Sequence, residues 1–339
     1  MAGNVTTYDS ISPRTTAYAA VGMLKRGQFD MVVERYGQAK PIPKKHTKSI
    51  TFRRTNSIPN ATAALAEGIP PAGHKMTVTD VTATLEQYGD FTTITDVILD
   101  THEDNVLQEA VETCGEQIAE TKEVIRIAVL KAGTNVYYQN NVSGRSTVNG
   151  PPTRSDFRRI YRALKKNKAR SITKINKASV KVSTEPVAAG YIVMGSTDLD
   201  ADIRQMDGFI PSEQYSNSDK AQLGEIGKVD HFRFVLTPLF EPWNAAGVSG
   251  QTYLSGGEIV TSDAPCDVYP MIVVAKDAYG LVPLQGQNAV KPAIVNPKPQ
   301  VGDELGQKGF VSWKMLDATI ILQQNWLARL EVGATAIPS

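Results

Sequence analysis

Gly224-Glu-Ile-Gly-Lys228 has part of the form of a phosphate loop, in which backbone N–H groups and a lysine would cradle phosphate oxygens. The earlier glycine such a loop requires is absent, and Val229 stands where Ser or Thr should hold Mg²⁺. A turn before a strand at Phe232 is therefore the expectation. Asp198, Asp200 and Asp202 have the spacing that opens a calcium loop, but Ile203 takes the glycine position and Phe209 that of the bidentate glutamate. Helix N-capping is the simpler role. His46, His74, His102 and His231 are scattered, and Cys114 and Cys266 have no second cysteine nearby, so the cysteines read as small buried hydrophobes. Gly-x-Ser-x-Gly, Gly-x-Gly-x-x-Gly and His-Glu-x-x-His are absent. Asn4-Val-Thr6, Asn60-Ala-Thr62 and Asn141-Val-Ser143 match the glycosylation sequon, which carries no weight without a signal sequence. No catalytic residue, cofactor or metal is expected, and the chain reads as a non-enzyme.

The charges are more informative. The 339 residues carry 36 Lys+Arg against 35 Asp+Glu, balanced overall but placed in blocks. Lys25, Arg26, Arg35, Lys40, Lys44, Lys45, Lys48, Arg53 and Arg54 face only Asp30 and Glu34. From Asp96 to Glu123 the sign reverses, with Lys122 the only cation, and from Arg154 to Lys177 it turns basic again. Copies that pack in a defined register could use such blocks as complementary patches, and solvated faces are the plain alternative.

Elements that would position these charges can be read from periodicity. Residues 1–45 lack sustained periodicity and end in Lys40-Pro-Ile-Pro-Lys-Lys, an extended, proline-stiffened arm. Ser49-Ile-Thr-Phe-Arg-Arg and residues 76–84 predict two strands around a Gly/Pro turn cluster, a long hairpin with too few large apolar residues for its own core. Leu107, Ala110/Val111, Cys114, Ile118, Ile125 and Ala128/Val129 predict a helix over about 103–131. Asp100 or Thr101 is its expected N-cap and Gly133 its stop, with Glu103 and Asp104 at the positive end of the macrodipole. A second helix begins near Thr153, with Phe157, Ile160, Tyr161 and Leu164 on one face and Arg158, Arg159, Arg162, Lys165 and Lys166 around it. Strands follow at Ala189-Gly-Tyr-Ile-Val-Met, His231-Phe-Arg-Phe-Val-Leu and Tyr269-Pro-Met-Ile-Val-Val-Ala, with a short capped helix from Ser196. The chain closes on a half-buried strand, Trp326-Leu-Ala-Arg-Leu-Glu-Val. No apolar run reaches the roughly 18 residues of a membrane span, and a membrane partner is not expected. The fold class is α+β.

Arm, hairpin, long helix, mixed domain and returning strand, in that order, resemble tailed-phage major capsid proteins of the Hong Kong 97-type fold. Particular stretches are similar to the branch typified by the coat protein of phage N-four. They are Ile42-Pro-Lys-Lys-His-Thr-Lys-Ser-Ile-Thr-Phe-Arg-Arg54 with Leu65-Ala-Glu-Gly68, and Thr84-Leu-Glu-Gln-Tyr-Gly-Asp-Phe-Thr92. Gly224-Glu-Ile-Gly-Lys-Val-Asp-His-Phe-Arg-Phe-Val235, Leu305-Gly-Gln-Lys-Gly-Phe-Val-Ser-Trp-Lys314 and Arg329-Leu-Glu331 complete the set. The resemblance implies an N-terminal arm (1–45), an E-loop (46–99) and a P-domain (100–185) with its spine helix. An A-domain (186–304) and a return to the P-domain (305–339) follow.

The same resemblance implies a protein made in a host bacterial cytoplasm that self-assembles, as hexamers and pentamers, into the icosahedral head shell of a virion. That shell would enclose double-stranded DNA without sequence specificity. Scaffold, portal and decoration proteins are possible partners. The namesake carries a long segment before its arm whereas this chain starts almost at the arm, so a scaffold is expected as a separate protein. Lys44, Lys45, Lys48, Arg53, Arg54 and Glu67 are the candidate inter-subunit contacts, and Arg158, Arg159, Arg162, Lys165 and Lys166 the candidate DNA-facing residues. The namesake's lysine–asparagine crosslink is not assigned, because no acceptor can be identified for Lys45, Lys48 or Lys75. The alternatives are an encapsulin-type cellular nanocompartment shell and a nucleic-acid-binding protein whose affinity would fall steeply with salt.

Overall fold

The computed structural model describes residues 31–335 apart from 44, 63, 65–72, 102–105, 173–188, 216–223, 250–252, 256–257, 261–264, 285–289 and 300–302. In chain order the first elements are β1 (Gln38–Ala39), β2 (Ser49–Thr55), β3 (Val78–Thr84), β4 (Glu86–Thr95), α1 (Asp96–Thr101) and α2 (Val106–Lys131). Then come β5 (Val136–Tyr138), α3 (Arg154–Lys166), β6 (Tyr191–Gly195), α4 (Asp200–Arg204), β7 (Phe209–Pro211), β8 (Glu225–Val229) and β9 (Phe232–Leu236). β10 (Tyr253–Ser255), β11 (Glu258–Val260), β12 (Tyr269–Val274), β13 (Tyr279–Leu281), β14 (Val290–Val295), β15 (Lys308–Asp317), β16 (Thr319–Ile321) and β17 (Leu327–Val332) complete the order.

The central sheet has seven strands in the order β5-β17-β12-β6-β9-β8-β7. Its middle strands are long apolar runs, Tyr191-Ile-Val-Met and Met271-Ile-Val-Val, buried on both faces. Phe157, Ile160 and Leu164 of α3 cover one face, with Phe157 edge-on to Phe234 at 5.1 Å between centroids. The C-terminal half of α2 covers the other through Ile127 and Leu130, beside Val32, Val33 and Tyr36 of the arm. The N-terminal half of α2 lies instead on a three-stranded sheet, β14-β15-β4, where Val111, Cys114 and Ile118 meet Ile94, Val311, Trp313 and Met315. At 1.5 Å per residue α2 runs about 39 Å, long enough to span both cores.

The second helix starts at Thr153 as expected, and the structure adds the reason: Thr153 and Asp156 cap each other across the first turn of α3. The long helix differs from expectation at both ends. Asp100 and Thr101 lie inside α1 rather than capping, because Asp96 opens a helix of its own by accepting the Val97 N–H at 2.8 Å. Glu103 and Asp104 fall outside the described residues. Gly133 is not in the left-handed region, where only Gly208, Gly224 and Gly306 lie among the described glycines. The last carbonyl of α2, Lys131 O, is taken by the Arg329 guanidinium, which also donates to Gly133 O, while the Gly133 N–H donates to Leu130 O. The buried stripe also drifts. Beyond Ile118 it runs through Ala119, Glu123, Arg126, Ile127 and Leu130, while Ala128 is exposed and Ile125 and Val129 are half-buried. Finally, β17 is a central strand buried on both faces, not a half-buried one, because ion pairs accommodate Arg329 and Glu331.

Two motifs set aside on sequence grounds have structural uses. Glu225–Val229 is not the turn expected before Phe232 but a strand, β8, paired with β9. Only Gly224, at φ +79°, lies in a turn, and a side chain at Gly227 would strike the Phe209 ring at 2.4 Å. Ser196, not an aspartate, caps the short turn before α4, its Oγ accepting the Asp198 N–H at 3.4 Å. Buried Asp202 accepts the Thr335 N–H at 2.9 Å and pins the chain's last described residue.

Candidate subunit-contact surface

The hairpin forms as its alternation predicts, with β2 and β3 antiparallel from Ser49↔Thr84 to Thr55↔Val78. Only its base is packed. Phe52 lies against Gly280, where a Cβ would meet its ring at 2.8 Å, and joins Ile42, Ala83, Leu85 and Val282. Lys40 Nζ stands 5.4 Å from the Phe52 ring centre. The far end exposes Ile58, Val78 and Met76, the last at 64%.

Of the expected contact residues, Lys44 and Glu67 lie outside the described residues. Lys45, in a left-handed conformation, and Lys48 are exposed near the hairpin base. Arg53 and Arg54 point to opposite faces, as neighbours on a strand must. Arg53 makes a fork to Asp80 across the hairpin, both bonds at 2.9 Å, and that hydrogen bonding holds the Asp80 carboxyl below the usual carboxylate range. Arg53 is thus already matched within its own chain. Arg54 shares the face of Ile50 and Phe52, and its Nη1 is buried without a hydrogen-bond partner among the described residues.

A second exposed apolar place is the face of the β14-β15-β4 sheet turned away from α2. There Phe91, 66% exposed, stands beside Phe310, Ser312 and Lys314 over a groove of about 660 Å³ whose floor is opened by Gly89. Monomeric proteins seldom expose such groups in clusters.

The five expected DNA-facing residues do not form one open cation patch. Arg158 bonds Asp230 at 3.2 Å, a carboxylate shared with Arg154, and bonding to Arg154, then to Arg158, holds Asp230 below the usual range. Arg159 turns inward, donating to Tyr138 O at 2.6 Å beside Asp156. Lys165 reaches over Tyr161, 5.5 Å from the ring centre. Arg162 and Lys166 are exposed and have no ion pair among the described residues.

Sequence reasoning did not find the buried charges that tie these parts together. Arg126 on α2 hydrogen-bonds Asp317 of β15 at 3.0 Å and forms an ion pair with Glu34 of the arm at 3.2 Å, and Lys122 bonds Glu34 at 3.1 Å. Glu123 Oε1 accepts the N–H groups of Val32 and Val33, both at 2.7 Å. Near the other end of the sheet, Glu331 pairs with Arg145 and Arg329. The available signal was a charge at each of two apolar-stripe positions, Glu123 and Arg126.

Spine helix, projecting hairpin, two-core arrangement and returning C-terminal strand are those of the Hong Kong 97-type fold of tailed-phage capsids. The structure resembles the capsid of Ralstonia phage GP4 (TM-score 0.66, 9% identity, 92% of this chain and 93% of that one). It also resembles the Cyanophage Pam1 capsid (0.58, 11%, 87% of each) and the head of Helicobacter pylori bacteriophage KHP40 (0.56, 13%, 87% of each). The family model described as "Phage capsid protein" matches residues 78–329, and the chain belongs to that family. A curated relative, the major capsid protein of Pseudomonas phage KPP21, is 25% identical over 270 residues, 74% of this chain and 66% of the relative's own length. These relatives are phage capsids, so the nanocompartment expectation is not carried forward.

Proposed function

We propose that the chain is a major capsid protein, many copies of which close into the icosahedral head shell of a tailed phage around double-stranded DNA. The observation that carries this reading is the β2–β3 hairpin: its base is packed, while Ile58, Met76 and Val78 at its far end have no cover of their own. Contacts from further copies would order it and shield its edges. The division into arm, E-loop, P-domain and A-domain is part of the same proposal. It is supported by the hairpin at 49–84 and the helix at 106–131, with one qualification. Residues 308–317 return to the α2 side, whereas 327–332 enter the sheet built from 191–274. Synthesis in a bacterial cytoplasm, and separate scaffold, portal and decoration partners, belong to the reading as well.

Electron micrographs of the purified, concentrated protein should show closed particles, and dispersed monomers under all assembly conditions would overturn the reading. Replacing Arg53 and Arg54 together by Glu should block assembly while leaving folded subunits. Arg54→Glu alone should have most of the effect, because Asp80 already occupies Arg53. Normal shells from the double variant would remove the hairpin base from the contact.

DNA binding by subunits should be weak and non-specific. A lining that neutralised many phosphates would hold packaged DNA by counterion release, and here Arg158 and Arg159 are spent within the chain. A salt titration against duplex DNA tests this. Submicromolar affinity at physiological salt, lost on neutralising Arg158, Arg159, Arg162, Lys165 and Lys166, would favour a nucleic-acid-binding protein instead.

A further inference from the structure

Where the arm meets α2, three carboxylates face two cations; Glu123, Arg126 and Asp317 are buried, whereas Glu34 is 40% exposed. Glu34 of the turn at Val33–Arg35 takes Lys122 and Arg126, and Asp317 takes the Arg126 fork. Glu123, fully buried, has no cation at bonding distance among the described residues. Its Oε1 accepts the Val32 and Val33 N–H groups, and its Oε2 is buried without a hydrogen-bond partner among the described residues. Among the described residues, the other groups facing the junction add no compensating positive charge. Tyr279 of β13 is neutral and donates its hydroxyl to Val33 O at 2.6 Å. Tyr36 is neutral too, burial pushing its hydroxyl well up, and the charges acting on it are exposed Arg35 and the Glu225–Arg233 ion pair.

We propose that the junction retains one proton, on Glu123, so that docking of the arm turn onto α2 is proton-linked: tight in acid, looser as pH rises. The negative charge of fully buried Glu123, with no cation bonded to it among the described residues, is costly to keep and is removed by a single proton. Of the three carboxylates, Glu123 can take it without giving up a bond, because Oε2 makes none. Burial pushes the Glu123 carboxyl above its ordinary value, against the lowering effect of its two backbone bonds. Burial pushes Asp317 up as well, but Asp317 would surrender the Arg126 fork on protonation. Burial also acts on Glu34, yet Lys122 and Arg126 outweigh it and hold that carboxyl down.

The direction of the linkage follows. A carboxyl whose value is higher docked than undocked contributes fully below its undocked value. That contribution is lost as pH rises through the docked value. The latch lies within one chain and does not depend on the shell-building reading.

Amide hydrogen exchange of a peptide covering residues 31–36 in the full chain, from pH 5 to 8 and normalised to the intrinsic rate at each pH, tests the latch. One linked proton lowers the protection factor by at most about tenfold per pH unit across the titration. Protection should fall in that way while β12 (Tyr269–Val274) stays flat. Glu123→Gln should keep the arm protected at every pH. Asp317→Asn removes the excess charge, so its fall should begin at lower pH. A flat wild-type curve, a parallel fall in β12, or a Glu123→Gln curve that falls like the wild type would each overturn the proposal. Should Glu123→Gln not fold, an Asp317→Asn curve superimposed on the wild type would do so.

Discussion

Arg126→Ala should destabilise the folded subunit by about 3–5 kcal/mol, the cost of leaving a buried charge without its partner. Arg126 has no exposed surface and joins three parts of the chain: α2 carries it, β15 supplies Asp317 and the arm supplies Glu34. Alanine would leave Asp317, Glu34 and Glu123 together with Lys122 as the only cation in the cluster. Urea denaturation at neutral pH measures the loss, and a change below about 1 kcal/mol, the range of exposed pairs, would refute it. Arg126→Met combined with Asp317→Leu should recover most of the stability, since apolar groups of similar volume need no partner. The arm should then be held less firmly than in the wild type, because Glu34 loses one of its two cations.

The same residue shows why part of the architecture was legible in the sequence and part was not. Local signals are short-range chemistry, and they held. Thr153 with Asp156 started α3, the alternation through Ile50 and Phe52 made a strand, and Ser196 opened a capped turn. Pattern matching on apolar residues failed in the second half of α2, where buried positions are occupied by Glu123 and Arg126. A charged residue on a buried stripe looks like a break in the stripe until its partner is known, and Asp317 lies 191 residues away. The end of α2 failed for a related reason. Gly133 satisfies the local rule for a helix stop, but Arg329, brought in by β17, meets the carbonyls first. Overall order survived these errors because it rests on element types rather than their ends. At the candidate contact surface, the types of Arg53 and Arg54 gave the charge, but only the strand register showed Asp80 opposite Arg53.

Glu331→Ala should likewise cost about 3–5 kcal/mol, and more than Arg145→Ala, although the two residues share one ion pair. Glu331 is fully buried in β17 and accepts a fork from Arg145 at 2.7 and 2.9 Å, with Arg329 Nε also at 2.9 Å. The guanidinium of Arg145 lies 3.7 Å from the Trp243 ring centre, and Lys131 Nζ lies 4.8 Å from the same ring. One carboxylate therefore balances two arginines, with a lysine close by. Removing it sets like charges against one another, and frees Arg329, which closes the end of α2. Removing Arg145 leaves Glu331 paired with Arg329, and Arg145 is itself 34% exposed, so much of its charge was already solvated. Urea titrations of both variants should rank them Glu331→Ala below Arg145→Ala in midpoint, with equal slopes. Hydrogen exchange should show the added loss in β17 and in the last turn of α2. Equal midpoints would mean that the Arg329–Glu331 contact contributes nothing.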